Sequence, residues 1–282
     1  MAARALAAGA AGEVCAVFDS TAYLRLGSGT FVCIGGPALV AGPINVGCDA
    51  WPDTAEAVLR PGMVVLVTGA RVQVGMSFAI TTAMARRWQP QAYGVVGGAA
   101  IRRRLDRIRP AVGEQAPVQS LCRLILEGTP ADPVARVAAP AVHALRGWLA
   151  QCVAAPEATV AEPASAIAGL LGLGPGLTPS GDDLLVGVLV ALAAWRRHAA
   201  VAALGAFLDP RLALGTSEIS AAHLRAAMQG EAVEPIHHCV AALTQDAGDP
   251  KACLAALDRY GHTSGWDALA GVLLVASVLS AR

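Results

Sequence analysis

The chain has 282 residues, 55% of them hydrophobic and only 15% charged, with 21 basic and 21 acidic side chains in formal balance. A neutral chain of this length buries a sizeable core, and it carries no global field suited to nucleic acid or to an anionic membrane surface. Two strongly apolar uncharged runs, 184–195 and 268–281, fall short of the roughly 20 residues that span a bilayer, so they read as buried core helices.

The opening "MAARALAAGAAG" lacks the apolar stretch of a secretory signal. Residues 13–75 then carry short β-branched runs, "EVCAVF", "AYLRL", "TFVCIG", "ALVAG" and "MVVLVTG", between Gly, Pro, Ser and Asp punctuation. They predict a small antiparallel sheet or barrel, with the turn-rich "PINVGCDAWPDTAEAVLRPG" inside it. From Ser77 the period changes: "SFAITTAMARRW" reads as a helix and "AYGVVGG" as a last strand. Helices follow at "AAIRRRLDRIR", "VQSLCRLILEG" and "PVARVAAPAVHALRGWLAQCV".

The Pro/Ala-rich segment 154–164 reads as a linker. Beyond it the pattern is helical, with loops expected at 172–180, 209–216, 230–234, 246–249 and 260–264. The predicted class is α+β, with a β-rich part and its following helices over 1–153 and a helical domain over 165–282. Seven scattered cysteines, at 15, 33, 48, 122, 152, 239 and 253, show no C-x-x-C spacing and suit reduced, buried thiols in the cytoplasm.

Chemistry concentrates in "GLGPGLTPSGDDLLVGVLVALAAW", residues 172–195, where a glycine loop and two aspartates open a very apolar helix. The start of that helix is echoed later. Residues 180–189, "SGDDLLVGVL", match 264–273, "SGWDALAGVL", at Ser180/Ser264, Gly181/Gly265, Asp183/Asp267 and Gly187/Gly271. With one residue of gap, Gly176-x-Thr178 faces Gly261-x-Thr263. Gly187 and Gly271 would let the two helices approach closely, as a two-fold-like pair whose N-termini face one pocket. A third helix start, at Thr216-Ser217, has the same Thr/Ser character. Helix N-termini expose unpaired N–H groups and the positive end of a dipole, and they hold anions readily.

Ser180-x-x-Asp183 and Ser264-x-x-Asp267 both have capping-box spacing, so Asp183 and Asp267 are explained equally well as caps. Asp182 faces Trp266 in the echo, and no cap requires it. It is therefore the first candidate for a ligand or for Mg²⁺, which a Thr-Pro-Ser-Gly-Asp-Asp turn could hold beside a phosphate. In a catalytic reading Asp182, Asp183, His262 and Asp267 are the reactive groups. Gly174, Gly176, Thr178, Ser180, Gly181, Thr263, Ser264 and Gly265 shape the substrate site, and the N–H groups of Gly181, Asp182 and Gly265 stabilise developing oxyanions.

Other candidates are weaker. "EPIHH" places Glu234 near His237 and His238 at a metal-like spacing, but a helix start with exposed histidines explains it better. His223 lies mid-helix. Arg102, Arg103, Arg104, Arg107 and Arg109 read as a solvated face, or as a dock for an anion or a partner subunit. The glycine loop lacks the lysine of a P-loop and does not follow a strand, and no G-x-S-x-G elbow occurs.

Three blocks, "GLGPGLTPSGDDLLVG", "ISAAHLRAAMQGEAVEPIHH" and "GHTSGWDALAGVLL", resemble the signature of the AllH-like family, which includes a subunit of bacterial oxamate carbamoyltransferase. The resemblance covers about residues 165–282 and is faint over the β-rich half, where "GPINV" is its best piece. It implies a cytoplasmic subunit that works with two others, one similar to acyl-CoA synthetases. The implied reaction of allantoin and purine degradation is phosphorolysis of oxalurate to oxamate and carbamoyl phosphate, or the reverse. It assigns no catalytic residue. The alternative is a non-catalytic assembly or regulatory subunit that binds small anions.

Overall fold

A computed structural model describes residues 1–7, 9–27, 29–94, 96–154, 160–245, 250–257 and 260–281. The chain divides into two compact units, Met1–Gln89 and Pro90–Arg282, the first β-rich and the second helical. The class is α+β as expected. The expected linker at 154–164 and loop at 246–249 lie wholly or partly outside the described residues.

The first unit is a curled, open seven-stranded sheet. Its strands are β1 (Ala10–Val17), β2 (Thr21–Leu26), β3 (Phe31–Gly35), β4 (Asn45–Gly47), β5 (Val64–Thr68), β6 (Arg71–Val74) and β7 (Phe78–Thr81), in the order β4-β3-β2-β1-β5-β6-β7. Every pairing is antiparallel except β3 with β4. Alternation sets one face inward: Ala22, Leu24 and Leu26 from β2, Val65 and Val67 from β5, and Val72 and Val74 from β6. Helix α1 (Ala2–Ala7) adds Ala2 and Leu6 to this core, and the one-turn helix α2 (Ala55–Val58) is followed by the buried Leu59.

Several local expectations are corrected. "SFAITTAMARRW" is not a helix: Phe78–Thr81 forms β7, paired with β6 from Arg71↔Thr81 to Val74↔Phe78. The two-residue alternation of Phe78 and Ile80 beside Val72 and Val74 matches the hairpin, and Gly75 makes the turn with a φ of 57°. "AYGVVGG" has no strand among its described residues, and neither has "ALVAG".

The second unit contains α3 (Gly98–Gln115), α4 (Cys122–Glu127), α5 (Pro133–Ala154), a 3-10 helix at Ser165–Leu170, α6 (Ser180–Ala194), α7 (His198–Gly215), α8 (Glu218–Ala227), α9 (Glu234–Thr244), α10 (Pro250–Leu257) and α11 (Ser264–Ser280). The loop expected at 209–216 is corrected: α7 runs through Pro210 to Gly215, held inward by Leu208 and Leu212. Pro110 and Pro140 likewise lie inside α3 and α5. In each case apolar packing outweighs the lost N–H bond that usually ends a helix at proline.

Helix α11 is central, in contact with α3, α4, α5, α6 and α9. It and α6 are buried nearly all round, which explains the uncharged runs. All seven cysteines are free; five are buried, and Cys15 and Cys48 are half-buried. Burial pushes the Cys33 thiol up to about 12 and the Cys152 thiol up to about 11, so both stay protonated and inert. No helix among the described residues is long and apolar enough to cross a membrane.

Candidate functional site

The echo in sequence is an echo in space. Helices α6 and α11 cross with Gly187 against Ala268 and Gly271 against Leu184. A Cβ on Gly187 would stand 1.8 Å from the Ala268 carbonyl oxygen, and one on Gly271 would stand 2.1 Å from the Leu184 carbonyl oxygen. The correspondence extends to the preceding chain. Gly181 lies on the Leu170 carbonyl and Gly265 on the Leu257 carbonyl. The N–H of Leu173 donates to Leu170 O at 3.2 Å, and that of Tyr260 to Leu257 O at 2.8 Å.

This crossing brings both Thr/Ser turns together. Thr178 Oγ1 and Ser264 Oγ share a hydrogen bond of 3.0 Å, and both hydroxyls lie close enough to Asp183 to act on its carboxyl. Asp267 is served in turn by the hydroxyls of Ser180 and Thr263 and by the N–H of Leu121, which donates to its Oδ1 at 2.7 Å. Each helix thus lends its first serine to the aspartate of the other. Thr178, Thr263 and Ser264 are half-buried and form the outer layer. Asp183 and Asp267 lie beneath, at 3% and 0% exposure.

The capping-box expectation is corrected. Pro179 and Thr263 hold the cap positions of α6 and α11, and neither makes a side-chain cap bond. Ser180 and Ser264 are already the first helical residues, so Asp183 and Asp267 point into the crossing. The third Thr/Ser start does behave as a cap: Ser217 Oγ accepts from the Ser220 N–H at 3.0 Å.

Asp182 is drawn into the interior. Its Oδ1 accepts from the Gly172 N–H at 3.0 Å, and its Oδ2 accepts from Ser220 Oγ at 2.7 Å and from Thr216 Oγ1. With 0% exposure it clamps the glycine loop to the start of α8, and Ser217 Oγ reinforces the clamp by donating to Leu177 O at 2.6 Å. Gly172 and Gly174 are required in that loop. Their φ values are 68° and 117°, and a Cβ on either would strike Gly215 O or Ser180 N. Gly176 also has a positive φ but is open to solvent.

The N–H groups of Gly181 and Asp182 are consumed by Leu173 O at 2.9 Å and Pro179 O at 2.9 Å, so the oxyanion role expected for them is corrected. A donor already bound to a carbonyl has nothing to offer a developing charge.

Electrostatics separates the three carboxyls. Burial raises Asp183 well above the ordinary carboxylate range, and the neighbouring Asp267 adds to the effect. Burial pushes Asp267 up to about 7, against the pull of Leu121, Ser180 and Thr263. Burial also raises Asp182, and its bonds from Thr216, Gly172 and Ser220 oppose the shift. Asp183 Oδ2 and Asp267 Oδ2 are buried without a hydrogen-bond partner.

His262 is exposed on the turn before Thr263. His237 is interior: its Nε2 accepts from the Ala232 N–H at 3.0 Å, which leaves Nδ1 to donate to the Tyr93 hydroxyl. Both ring nitrogens are thus engaged, which overturns the exposed reading of His237, while His238 is exposed. No group of three or more His, Cys, Asp or Glu among the described residues is arranged to hold a metal. Two members of the arginine cluster cap helices: Arg102 donates to Ser280 O at 3.1 Å and 2.5 Å, and Arg104 to Leu243 O at 3.3 Å. Sequence reasoning missed Gly172, Ser220 and Leu121 as partners of the aspartates; the Thr216-Ser217 turn was the available signal for one of the three.

Residues 170–276 match the family of the oxamate carbamoyltransferase subunit AllH. The matched segment takes in the glycine loop, α6 to α10 and most of α11, and therefore every carboxyl and hydroxyl of the crossing except the Leu121 contact. No solved structure matches the chain.

Proposed function

We propose that this chain is a subunit of a cytoplasmic carbamoyltransferase complex that acts on a small anionic N-carbamoyl substrate. The reaction is phosphorolysis of oxalurate to oxamate and carbamoyl phosphate, or the reverse. The observation that carries the reading is the joining of Thr178 to Ser264, at 3.0 Å, within the segment that matches the family.

In the forward direction a phosphate oxygen bonds to the carbamoyl carbon, the bond from that carbon to the amide nitrogen breaks, and the nitrogen takes a proton. One of the Thr178 and Ser264 hydroxyls donates to the other and the second donates to Asp183, which leaves oxygen lone pairs on the pair for the substrate's N–H groups. Gly174, Gly176, Thr263 and Gly265 shape the mouth. His262, exposed two residues before Ser264, carries the proton to the leaving nitrogen. Ser180, Gly181 and Asp267 position these groups from below, and Asp182 holds the loop in place.

The assembly reading has one observation in its favour, the internal closure of Asp182. One experiment separates the two: oxalurate phosphorolysis by the complex purified from its native host, comparing wild type with Thr178→Val and Ser264→Ala. The catalytic reading expects variants that assemble and lose at least about 100-fold in kcat/KM. Full activity in both variants assigns the chain to assembly, and an inactive wild type removes this substrate.

A further inference from the structure

Two carboxylate oxygens at the crossing of α6 and α11 are left without a partner. Asp183 Oδ2 and Asp267 Oδ2 are buried without a hydrogen-bond partner, at equivalent positions of the paired helices. Asp267 Oδ1 is already taken by the Leu121 N–H, so Oδ2 is its open oxygen. The groups acting on either carboxyl are hydroxyls, one backbone N–H and further acids, Asp182 beside Asp183 and Asp132 beside Asp267; none of them is cationic. Two such carboxyls, with one oxygen each unsolvated, are costly to bury in the ionised form unless a positive charge meets them, and burial alone drives them toward the neutral acid.

We propose that Asp183 and Asp267 hold one hard divalent cation of the Mg²⁺ class at the crossing of α6 and α11, with the hydroxyl oxygens of Ser180, Ser264 and Thr178 around it. The donor set is all oxygen, which suits a hard cation and disfavours zinc or copper. Two carboxylates are too few to enclose the ion. Mg²⁺ accepts that arrangement because it keeps several waters and completes its shell with a substrate's phosphate oxygens. The site moves the expected metal from Asp182, whose two oxygens already face three donors, to the pair beside it. It deepens the carbamoyl-transfer reading, since phosphate is the co-substrate there, but it stands on the geometry of this chain alone.

The test uses the full-length chain without partners, stripped with chelator, and Mg²⁺ or Mn²⁺ alone as the probe. Millimolar MgCl2, against KCl at equal ionic strength, raises Tm by about 3–5 °C, and Mn²⁺ titration followed by paramagnetic resonance gives one bound ion per chain. Asp183→Asn and Asp267→Asn each abolish both signals. Should either variant fail to fold, Ser264→Ala weakens Mn²⁺ binding several-fold while keeping the fold. A wild type that binds no Mn²⁺ and shows no Mg²⁺-specific shift overturns the proposal, as does binding that survives all three substitutions. Mn²⁺ binding by the chain beside an inactive complex refutes carbamoyl transfer alone. Turnover that chelator does not reduce, with no bound ion, refutes the cation alone.

Discussion

Gly187 meets the backbone of Ala268 so closely that a Cβ would overlap the carbonyl oxygen, at 1.8 Å. The clash is with backbone inside a helix, so neither partner can swing away. Gly187→Ala and Gly271→Ala are each expected to cost about 3 kcal/mol or more in urea denaturation, at or beyond the upper end for overpacking. Gly147→Ala is the control. That residue is exposed inside α5 and a Cβ there meets nothing within 4 Å, so the substitution is expected to stabilise by about 0.5–1 kcal/mol.

Asp182→Ala leaves three donors without their acceptor: Gly172 N–H, Thr216 Oγ1 and Ser220 Oγ. The expected loss is about 3 kcal/mol or more. Hydrogen exchange gives the sharper reading, because the amides of residues 172–177 should exchange faster in the variant while those in the middle of α11 change only with global stability.

His237 sets a pH dependence of known sign. Burial lowers its pKa to about 4, from an ordinary value of about 6.5. The unfolded chain therefore takes up the proton first as pH falls. The contribution is fully present above about pH 6.5 and is lost as pH drops toward 4, to a limit of roughly 3 kcal/mol. Protonation at Nε2 would also eject the Ala232 N–H. Because buried carboxyls with raised pKa values act in the opposite direction, the measurement is a difference: the stability gap between wild type and His237→Gln is expected to narrow between pH 7 and pH 4.

How much of this was legible in sequence varies by residue. The pairing of α6 with α11 could be read, because Gly187 and Gly271 fall at matching places in a repeated Ser-Gly-x-Asp start. The β-rich first part was legible from β-branched runs between turn residues. The strand at Phe78–Thr81 was not, because four residues of alternation are too short to outweigh the alanines and threonines that follow. Pro210 misled for a different reason: local propensity does not register what Leu208 and Leu212 gain by packing. The internal closure of Asp182 was beyond reach. Asp182 finds its partners 10, 34 and 38 residues away, and spacing along one helix carries no information about them.

Arg102→Ala tests the other end of α11. The guanidinium sits on the terminal carbonyl of Ser280, where a cation opposes the negative end of the helix dipole. Its removal should cost about 1–2 kcal/mol by thermal melting, whereas Arg107→Ala, exposed on the same helix α3, should stay within about 0.5 kcal/mol.

The same helix shows what the zero net charge conceals. At its start α11 meets Asp267 and Asp183; near its end Arg102 holds Ser280 and Arg146 donates to Ser277 Oγ at 3.1 Å. Asp267 and Ser280 lie 13 residues apart along the axis, roughly 20 Å at 1.5 Å per residue. The helical unit is thus electrically a bar with an acidic pole and a basic pole, each placed against the opposite end of the helix dipole. Where those carboxyls are ionised, an incoming anion is repelled at the acidic pole until something positive has settled there. With the cation proposed at Asp183 and Asp267, the order in which ligands arrive follows from the direction in which one helix runs.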